Sequence, residues 1–284
     1  MLGQRIITAV VLLAILLPAL FYNHPAPFCA VALVLISAAG WEWGRLNGCS
    51  QTVSLILGLM LALLCGALWS VGLLYKSTPV LWILAGGAWV LAGSLLLRLG
   101  VVGWSGLAKS LRLAGGLAAL LVAWLAVAQA RVIGIDFLLS ILLLVWVADI
   151  FAYAAGRALG GRFTKNKLAV AISPGKSWEG VWGGMAGVAL LAISWAWLER
   201  SGAGSVGSGS LYARLWAQHG VLVMVLASIF LAAMSVVGDL VESLVKRSAG
   251  AKDSSGLLPG HGGVLDRVDA LLPAVPLAMM LVNL

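Results

Sequence analysis

Long uninterrupted apolar runs are the feature that most constrains this chain. Hydrophobic residues make up 62% of its 284 residues, whereas charged residues make up only 10%. A soluble domain carries about 25% charged residues and cannot bury so much apolar surface in a single core. Because about 20 apolar residues cross a bilayer as a helix, the sequence predicts a polytopic membrane protein with short loops.

The apolar runs predict an all-α fold with about nine transmembrane helices of about 20 residues each. The runs are continuous and do not alternate, which favours helices over the strands of a membrane barrel. Glycine, proline and charged residues separate the expected spans, which lie at 6–21, 28–46, 53–74, 80–97, 113–130, 138–155, 178–198, 221–245 and 268–284.

Basic residues predict the orientation of these helices. A cytoplasmic N-terminus places all but four of the 18 Lys and Arg residues on the cytoplasmic side, the exceptions being Lys76, Arg131, Arg200 and Arg214. Membrane proteins retain positive charge on that side. The N-terminus is therefore predicted to be cytoplasmic.

The acidic residues divide the chain into two regions. All of them except Asp136 and Glu199 map to the predicted cytoplasmic level, and of those only Glu42 precedes residue 138. Residues 1–137 are therefore interpreted as a scaffold of transmembrane helices. Residues 138–284 are expected to be the catalytic region, with cytoplasmic loops at 156–177 and 246–267.

The end of the eighth predicted span carries the first charged cluster. Asp239, Glu242 and Lys246 stand at positions i, i+3 and i+7, so they share one face of the helix. Ionisable residues within a span are costly and indicate a functional site. A Glu242–Lys246 salt bridge that only stabilises the helix end is the alternative, and it explains Asp239 less well because Asp239 lies deeper.

A glycine-rich segment at 256–263 follows this helix. Glycines let the backbone approach a ligand closely and offer N–H groups to an anion. Gly262 and Gly263 are therefore candidate substrate contacts, and His261 is a candidate phosphate contact.

Asp266 and Asp269 are predicted to lie on one face at the start of the last helix. Ordinary helix capping explains one acid at such a position. It does not explain two acids together with Arg267 and a glycine-rich approach.

The third cluster lies at the end of the sixth span and in the loop after it. Asp149 shares a helix face with Tyr153 and Gly156. A basic loop that ends at a helix start suits phosphate, although positive charge that serves only topology is the alternative. The polar residues of this loop are Arg157, Arg162, Lys165, Lys167, Ser173, Lys176 and Glu179. Downstream, the pairs Gly180/Gly184 and Gly183/Gly187 predict close helix packing.

These residue types suggest a reaction class. Carboxylates without a His or Cys cluster favour Mg²⁺ shared with substrate phosphates, and basic side chains would neutralise a polyphosphate. Their position at the membrane surface suggests phosphoryl or nucleotidyl transfer to a lipid headgroup. The sequence has no arrangement typical of a covalent intermediate.

The segment 243–269, SLVKRSAGAKDSSGLLPGHGGVLDRVD, closely resembles the signature of phosphatidate cytidylyltransferases, also called CDP-diacylglycerol synthases. The upstream patterns D-x3-Y-x2-G-R from Asp149 and S-P-x-K-S-x-E-G from Ser173 are also similar to that family, with Gly175 where a lysine is common. The resemblance covers roughly the C-terminal half of the chain.

The resemblance implies that CTP and phosphatidate react to give CDP-diacylglycerol and pyrophosphate. It also implies a homodimeric enzyme of the cell inner membrane, in contact with membrane lipids, with its site facing the cytoplasm and no nucleic acid partner. Mg²⁺ is the implied cofactor, and the resemblance also allows a second cation, either monovalent or divalent. The implied metal ligands are Asp239, Asp266 and Asp269, and the implied phosphate ligands are Lys176, Lys246, Arg247, Lys252 and Arg267. Ser173, Asp149 and Glu179 are implied substrate-binding residues. For Asp149, Glu179 and Asp253, the alternatives are support of the residues that bind substrate and support of the helix–loop structure.

Other functions remain open at this stage. The nearest are a CTP-dependent polyprenol kinase and a cytidylyltransferase for archaeal ether lipids. An ion or solute transporter is a different class, and it predicts broken helices and paired repeats near the membrane midplane.

Overall fold

The computed structural model describes residues 2–164, 167–202 and 209–284. These residues form ten α-helices and a short 3₁₀ helix at Leu73–Tyr75, with two isolated β-bridges and no strand among them. Lys165 of the predicted basic loop lies outside the described residues. The helices are α1 (Leu2–Phe21), α2 (Ala26–Leu46), α3 (Gln51–Ser70), α4 (Pro79–Gly106), α5 (Lys109–Ile133), α6 (Ile135–Leu159), α7 (Trp178–Arg200), α8 (Leu211–Ser248), α9 (Leu265–Val268) and α10 (Leu271–Leu281).

In the part of the chain that the structure describes, eight helices, α1 to α8, are long and apolar enough to cross a membrane. The all-α polytopic fold is therefore confirmed. The ninth predicted span, 268–284, is a shorter element, because α10 has 11 residues and rises about 16 Å against a hydrocarbon core of about 30 Å.

A proline explains why this last segment is divided. Pro273 has no N–H to donate to the carbonyl of Asp269, so the helix is interrupted between α9 and α10. Residues 272–279 of α10 are all buried. The helix packs against α4, α5, α6 and α8, so it fills the centre of the bundle.

Small residues bring α7 against α6, as the glycine spacing predicts. A Cβ atom added at Gly180 would lie 2.9 Å from the Ala152 carbonyl oxygen, and one at Gly184 would lie 2.8 Å from that of Ala148. These glycines therefore allow the backbones of the two helices to approach closely.

Two long helices are broken at glycines in left-handed conformations, Gly100 in α4 (φ 67°) and Gly220 in α8 (φ 84°). Both breaks lie toward a helix end, unlike the midplane breaks that the transporter alternative predicts. After Gly100, Trp104 is buried and packs edge-on against Trp43 at 5.8 Å.

The start of α1 and the loop after α8 lie at the same end of the molecule. The Thr8 hydroxyl donates a hydrogen bond of 2.9 Å to the Pro259 carbonyl oxygen. This arrangement agrees with the predicted topology, in which the N-terminus and the 246–267 loop share one side. We name this side the charged end; that it faces the cytoplasm stays a prediction.

Candidate active site at the charged end

Lys176 joins the loop between α6 and α7 to helix α8. Its Nζ atom lies 2.5 Å from Asp239 Oδ2, and both side chains are partly exposed. The backbone of Lys176 is held in a turn, because its N–H donates to the Ser173 carbonyl and its own carbonyl accepts from the Leu168 N–H. The structure thus brings together residues of the first and third predicted clusters, with Asp149 close enough to interact electrostatically with Lys176 and Asp239.

Lys246 joins α8 to the segment that begins at α9. Its Nζ atom lies 2.5 Å from Glu242 Oε2 and 2.6 Å from Asp266 Oδ1. The two carboxylate side chains are almost fully buried, at 2% and 5% exposure. The Glu242–Lys246 salt bridge is therefore present, and with Asp266 it forms a buried triad. It does more than stabilise the end of a helix.

Asp266 is enclosed by hydrogen-bond donors. Its Oδ2 atom accepts bonds from the Ser254 N–H (2.9 Å), the Ser254 hydroxyl (2.8 Å) and the Gly263 N–H (2.7 Å). Burial acts to raise the pKa of Asp266, but the bonds from Lys246, Gly263 and Ser254 outweigh it and lower the pKa to about 2. Asp266 is therefore ionised at neutral pH, and one of its oxygens is fully occupied.

Glu42 of α2 holds the loop between α8 and α9. Its side chain is fully buried, and it accepts bonds from the Val264 N–H (2.9 Å), the Leu265 N–H (2.7 Å), the Ser255 hydroxyl (2.5 Å) and the Ser254 hydroxyl (3.3 Å). Among the described residues it forms no ion pair. The single Ser254 O–H already donates to the nearer Asp266 carboxylate, so the other three neutral donors compensate the burial of Glu42.

The glycine-rich segment forms the expected anion nest, but the anions are carboxylates of the protein. The Gly263 N–H binds Asp266, and the next two N–H groups bind Glu42. A Cβ atom at Gly263 would contact the Ser254 hydroxyl and the Glu42 carboxylate. The backbone at Gly263 therefore approaches side chains of the protein closely, where we predicted close approach to a ligand. Gly262 lies beside Asp266 and has a positive φ of 84°.

Sequence reasoning placed Glu42 in the scaffold region and missed this role. One signal was present, since Glu42 is an acid within an apolar run and is flanked by Trp41 and Trp43. Ionisable residues in such runs indicate a function or a buried partner. The partner lies more than 200 residues away, and no local pattern identifies it.

Glu179 anchors the loop after α6 in a similar way. Its Oε1 atom accepts bonds from the Phe163 N–H (3.1 Å), the Thr164 N–H (2.8 Å) and the Thr164 hydroxyl (2.9 Å). It lies in the first turn of α7, where Ser177 caps the helix through a bond from the Gly180 N–H. Of its two predicted roles, the observed bonds support the structural one.

Lys176 forms an ion pair with Asp239 and interacts electrostatically with Asp149 and Asp269, and we name these three carboxylates the acidic group. Burial raises the pKa of Asp269 and the Asp239 carboxylate raises it further, whereas Lys246 and Lys176 oppose the shift. Among the described residues no set of three or more His, Cys, Asp or Glu side chains has a metal-binding arrangement. Lys176 is the cation that touches Asp239 here.

The remaining predicted phosphate ligands lie on the surface of the charged end. Arg247 Nε donates to the Ile172 carbonyl (3.3 Å), which ties α8 to the α6–α7 loop. Lys252 and Arg267 are exposed, as is Asp253, and neither basic residue forms an ion pair within the described chain. His261 Nδ1 is buried without a hydrogen-bond partner in the same residues.

Sequence comparison identifies relatives that align with nearly the whole chain. The chain is 41% identical to the phosphatidate cytidylyltransferase of Pseudomonas aeruginosa over 97% of its own length and 95% of that protein. It is 35% identical to the proteins of the same name from Haemophilus influenzae, over 97% of this chain and 96% of that one, and Brucella abortus, over 97% and 91%. A sequence model of the cytidylyltransferase family matches residues 3–284. The chain, an all-α membrane protein with paired acidic and basic side chains at one end, therefore belongs to the cytidylyltransferase family.

Proposed function

We propose that this protein makes CDP-diacylglycerol and pyrophosphate from CTP and phosphatidate. The observation that carries the proposal is the presence of two ion pairs at the charged end, Lys176–Asp239 and Lys246–Asp266. Lys176 lies in one of the two segments that resemble the family signature. Lys246 and Asp266 lie in the other, and Asp239 stands four residues before the latter segment. Relatives that align with nearly the whole chain carry the name of this activity.

The reaction is an in-line displacement at phosphorus. A phosphate oxygen of phosphatidate attacks the α-phosphorus of CTP, and the bond from that phosphorus to the α,β-bridging oxygen breaks. Pyrophosphate leaves with the bridging oxygen. The protein's contribution is to hold two anions together and to stabilise the added charge. Lys176, Arg247, Lys252 and Arg267 supply positive charge for this purpose.

The carboxylate oxygens of the acidic group are chemically suitable ligands for Mg²⁺. Asp239 and Asp269 are neighbouring carboxylates that repel each other, and hard oxygen ligands suit this cation. Asp266 has fewer free lone pairs, because four donors already bind it. When bound, the cation would neutralise polyphosphate charge; Asp239 and Asp269 would hold it, with Asp266 as a further ligand.

We also propose a homodimer in the cell inner membrane, with the charged end facing the cytoplasm. The concentration of basic residues at that end supports the orientation. The supply of CTP from the cytoplasm requires the same orientation.

The decisive experiment incubates purified protein with cytidine-labelled CTP, phosphatidate and Mg²⁺ and measures lipid-soluble label. We expect wild-type protein to form CDP-lipid, and we expect Asp239→Asn to lower the rate at least about a hundredfold. Asp136→Asn, which alters an acid at the opposite end, is the matched control and should retain activity. Absence of CDP-lipid with the wild-type protein would refute the activity, and full turnover in EDTA would refute the role of Mg²⁺.

A further inference from the structure

An apolar cavity lies next to the candidate active site, among the membrane-spanning helices. Its volume is about 510 Å³, and residues of α4, α5, α8 and α10 line it. The lining is mainly alanine, leucine and glycine, and Arg112 and Glu242 are the charged side chains among the described residues that line it. A cavity of this composition suits an aliphatic ligand.

The polar end of the cavity adjoins the catalytic residues. Glu242 lines the cavity and is also the ion-pair partner of Lys246. Leu265, which directly precedes Asp266, lines the same end. A ligand in the cavity would therefore have one end beside the buried triad.

Arg112 supplies an unused donor in this lining. Its Nε atom is buried and has no hydrogen-bond partner among the described residues. The guanidinium carbon lies 5.9 Å from the centre of the Trp104 ring. A buried guanidinium N–H without an acceptor is costly, and a phosphate oxygen would satisfy it.

Part of the cavity lining is exposed on the outer surface of the helix bundle. Leu95, Leu99 and Leu111 line the cavity and are also 56%, 42% and 60% exposed. They belong to α4 and α5, both of which are long and apolar enough to span the membrane. A lipid chain can therefore enter from the side without crossing water.

We propose that this cavity binds one acyl chain of the phosphatidate substrate, and that Arg112 binds its phosphate. The proposal rests on the proposed function, and it identifies a determinant of acyl-chain length in that site. An amphiphile with an anionic head and an aliphatic chain matches both Arg112 and the apolar lining. A ligand without a charged head leaves Arg112 unpaired, and a ligand without a long chain leaves the apolar lining empty.

Gly115 offers a way to fill the cavity without disturbing the fold. It lines the cavity, and an added Cβ atom would meet no heavy atom within 4 Å. Leucine also favours a helix more than glycine does. Gly66 of α3 is the matched control, because its added Cβ also meets nothing within 4 Å and it does not line the cavity.

The experiment compares kcat/KM for dioleoyl and dihexanoyl phosphatidate. We expect Gly115→Leu to lower the long-chain to short-chain ratio about tenfold while the KM for CTP is unchanged. Gly66→Leu should leave the ratio at the wild-type value. An unchanged ratio in Gly115→Leu, or an equal change in both variants, would overturn the proposal.

A binding measurement separates this proposal from the proposed function. Without CTP, dioleoyl phosphatidate should raise the Tm of the wild-type protein, because a ligand that binds the folded state stabilises it. Gly115→Leu should lose most of this shift. A wild-type protein that shows the shift but forms no CDP-lipid contradicts only the activity, whereas a shift that persists in Gly115→Leu contradicts the cavity assignment.

Discussion

Two loops at the charged end are each held by a buried glutamate, but the glutamates come from very different distances along the chain. Glu179 binds residues 163 and 164, which lie 15 or 16 positions before it. Glu42 binds residues 254, 255, 264 and 265, which lie 212 to 223 positions after it. The first contact is local to one loop and its following helix, while the second depends on packing between α2 and α9.

The two loops also differ in their access to water. Phe163, whose N–H binds Glu179, is 71% exposed. Val264 and Leu265, whose N–H groups bind Glu42, are only 3% and 1% exposed. Water can therefore replace many of the hydrogen bonds that Glu179 accepts, but few of those that Glu42 accepts. The long-range contact should be the one on which the site depends more strongly.

The largest expected effect is that of Glu42→Ala. The substitution leaves the buried N–H groups of Val264 and Leu265 without an acceptor, each at a cost of about 1–3 kcal/mol. We expect CDP-lipid formation to fall about a hundredfold and Tm to fall as well. Glu199→Ala, which removes a hydrogen-bonded acid at the opposite end, should change activity less than about twofold.

The close approach at Gly263 provides a second comparison within the same loop. Gly263→Ala places a methyl group against Ser254 and Glu42, whereas Gly256→Ala places one in open space. We expect about a tenfold loss of activity for the first change, from overpacking of about 1–3 kcal/mol, and almost none for the second. Equal activities of the two variants would show that the Glu42 contact does not control the site.

A smaller effect is expected for Glu179→Ala. Its donors are partly open to water, so the loop should loosen without losing its fold. Because that loop positions Lys176, we expect the KM for CTP to rise a few-fold while Tm changes little. A loss of activity as large as that of Glu42→Ala would remove the distinction between the two loops.

The smallest expected effect is the pH dependence of the stability that Asp266 gives to the loop between α8 and α9. The pKa of Asp266, about 2, is below its ordinary value of 3.8, so its ionised form favours the folded state. This stabilisation is complete above pH 3.8 and is lost as pH falls toward 2. In metal-free protein, the Tm difference between wild type and Asp266→Asn should be constant from about pH 5 to 8 and should shrink below pH 4. A difference that shrinks near neutral pH would contradict this assignment.

Local pattern was sufficient for most of the helices and for the charged residues that meet at the charged end, with the exception of Glu42. Apolar runs predicted nine spans, and eight of them are helices long enough to cross a membrane in the described residues. Glycine spacing predicted close packing of α7, and helical periodicity predicted the Glu242–Lys246 pair. The last predicted span was too long, because hydropathy takes no account of the backbone hydrogen bond that is lost at Pro273. It also does not distinguish an apolar helix in lipid from α10, which is buried within the bundle.

The sequence alone determined that the protein lies in a membrane, where its helices are, and which segments carry the charged residues. Each residue contributes its own free energy of transfer into lipid, so these properties can be read from local sequence. Only the tertiary structure decided which charges meet. Glu42 holds a loop that follows α8, Lys246 bridges two carboxylates, and an apolar cavity lies beside them, because these contacts depend on which helices become neighbours. A buried carboxylate has no fixed partner until packing places donors around it, and that placement decides the role of each acid.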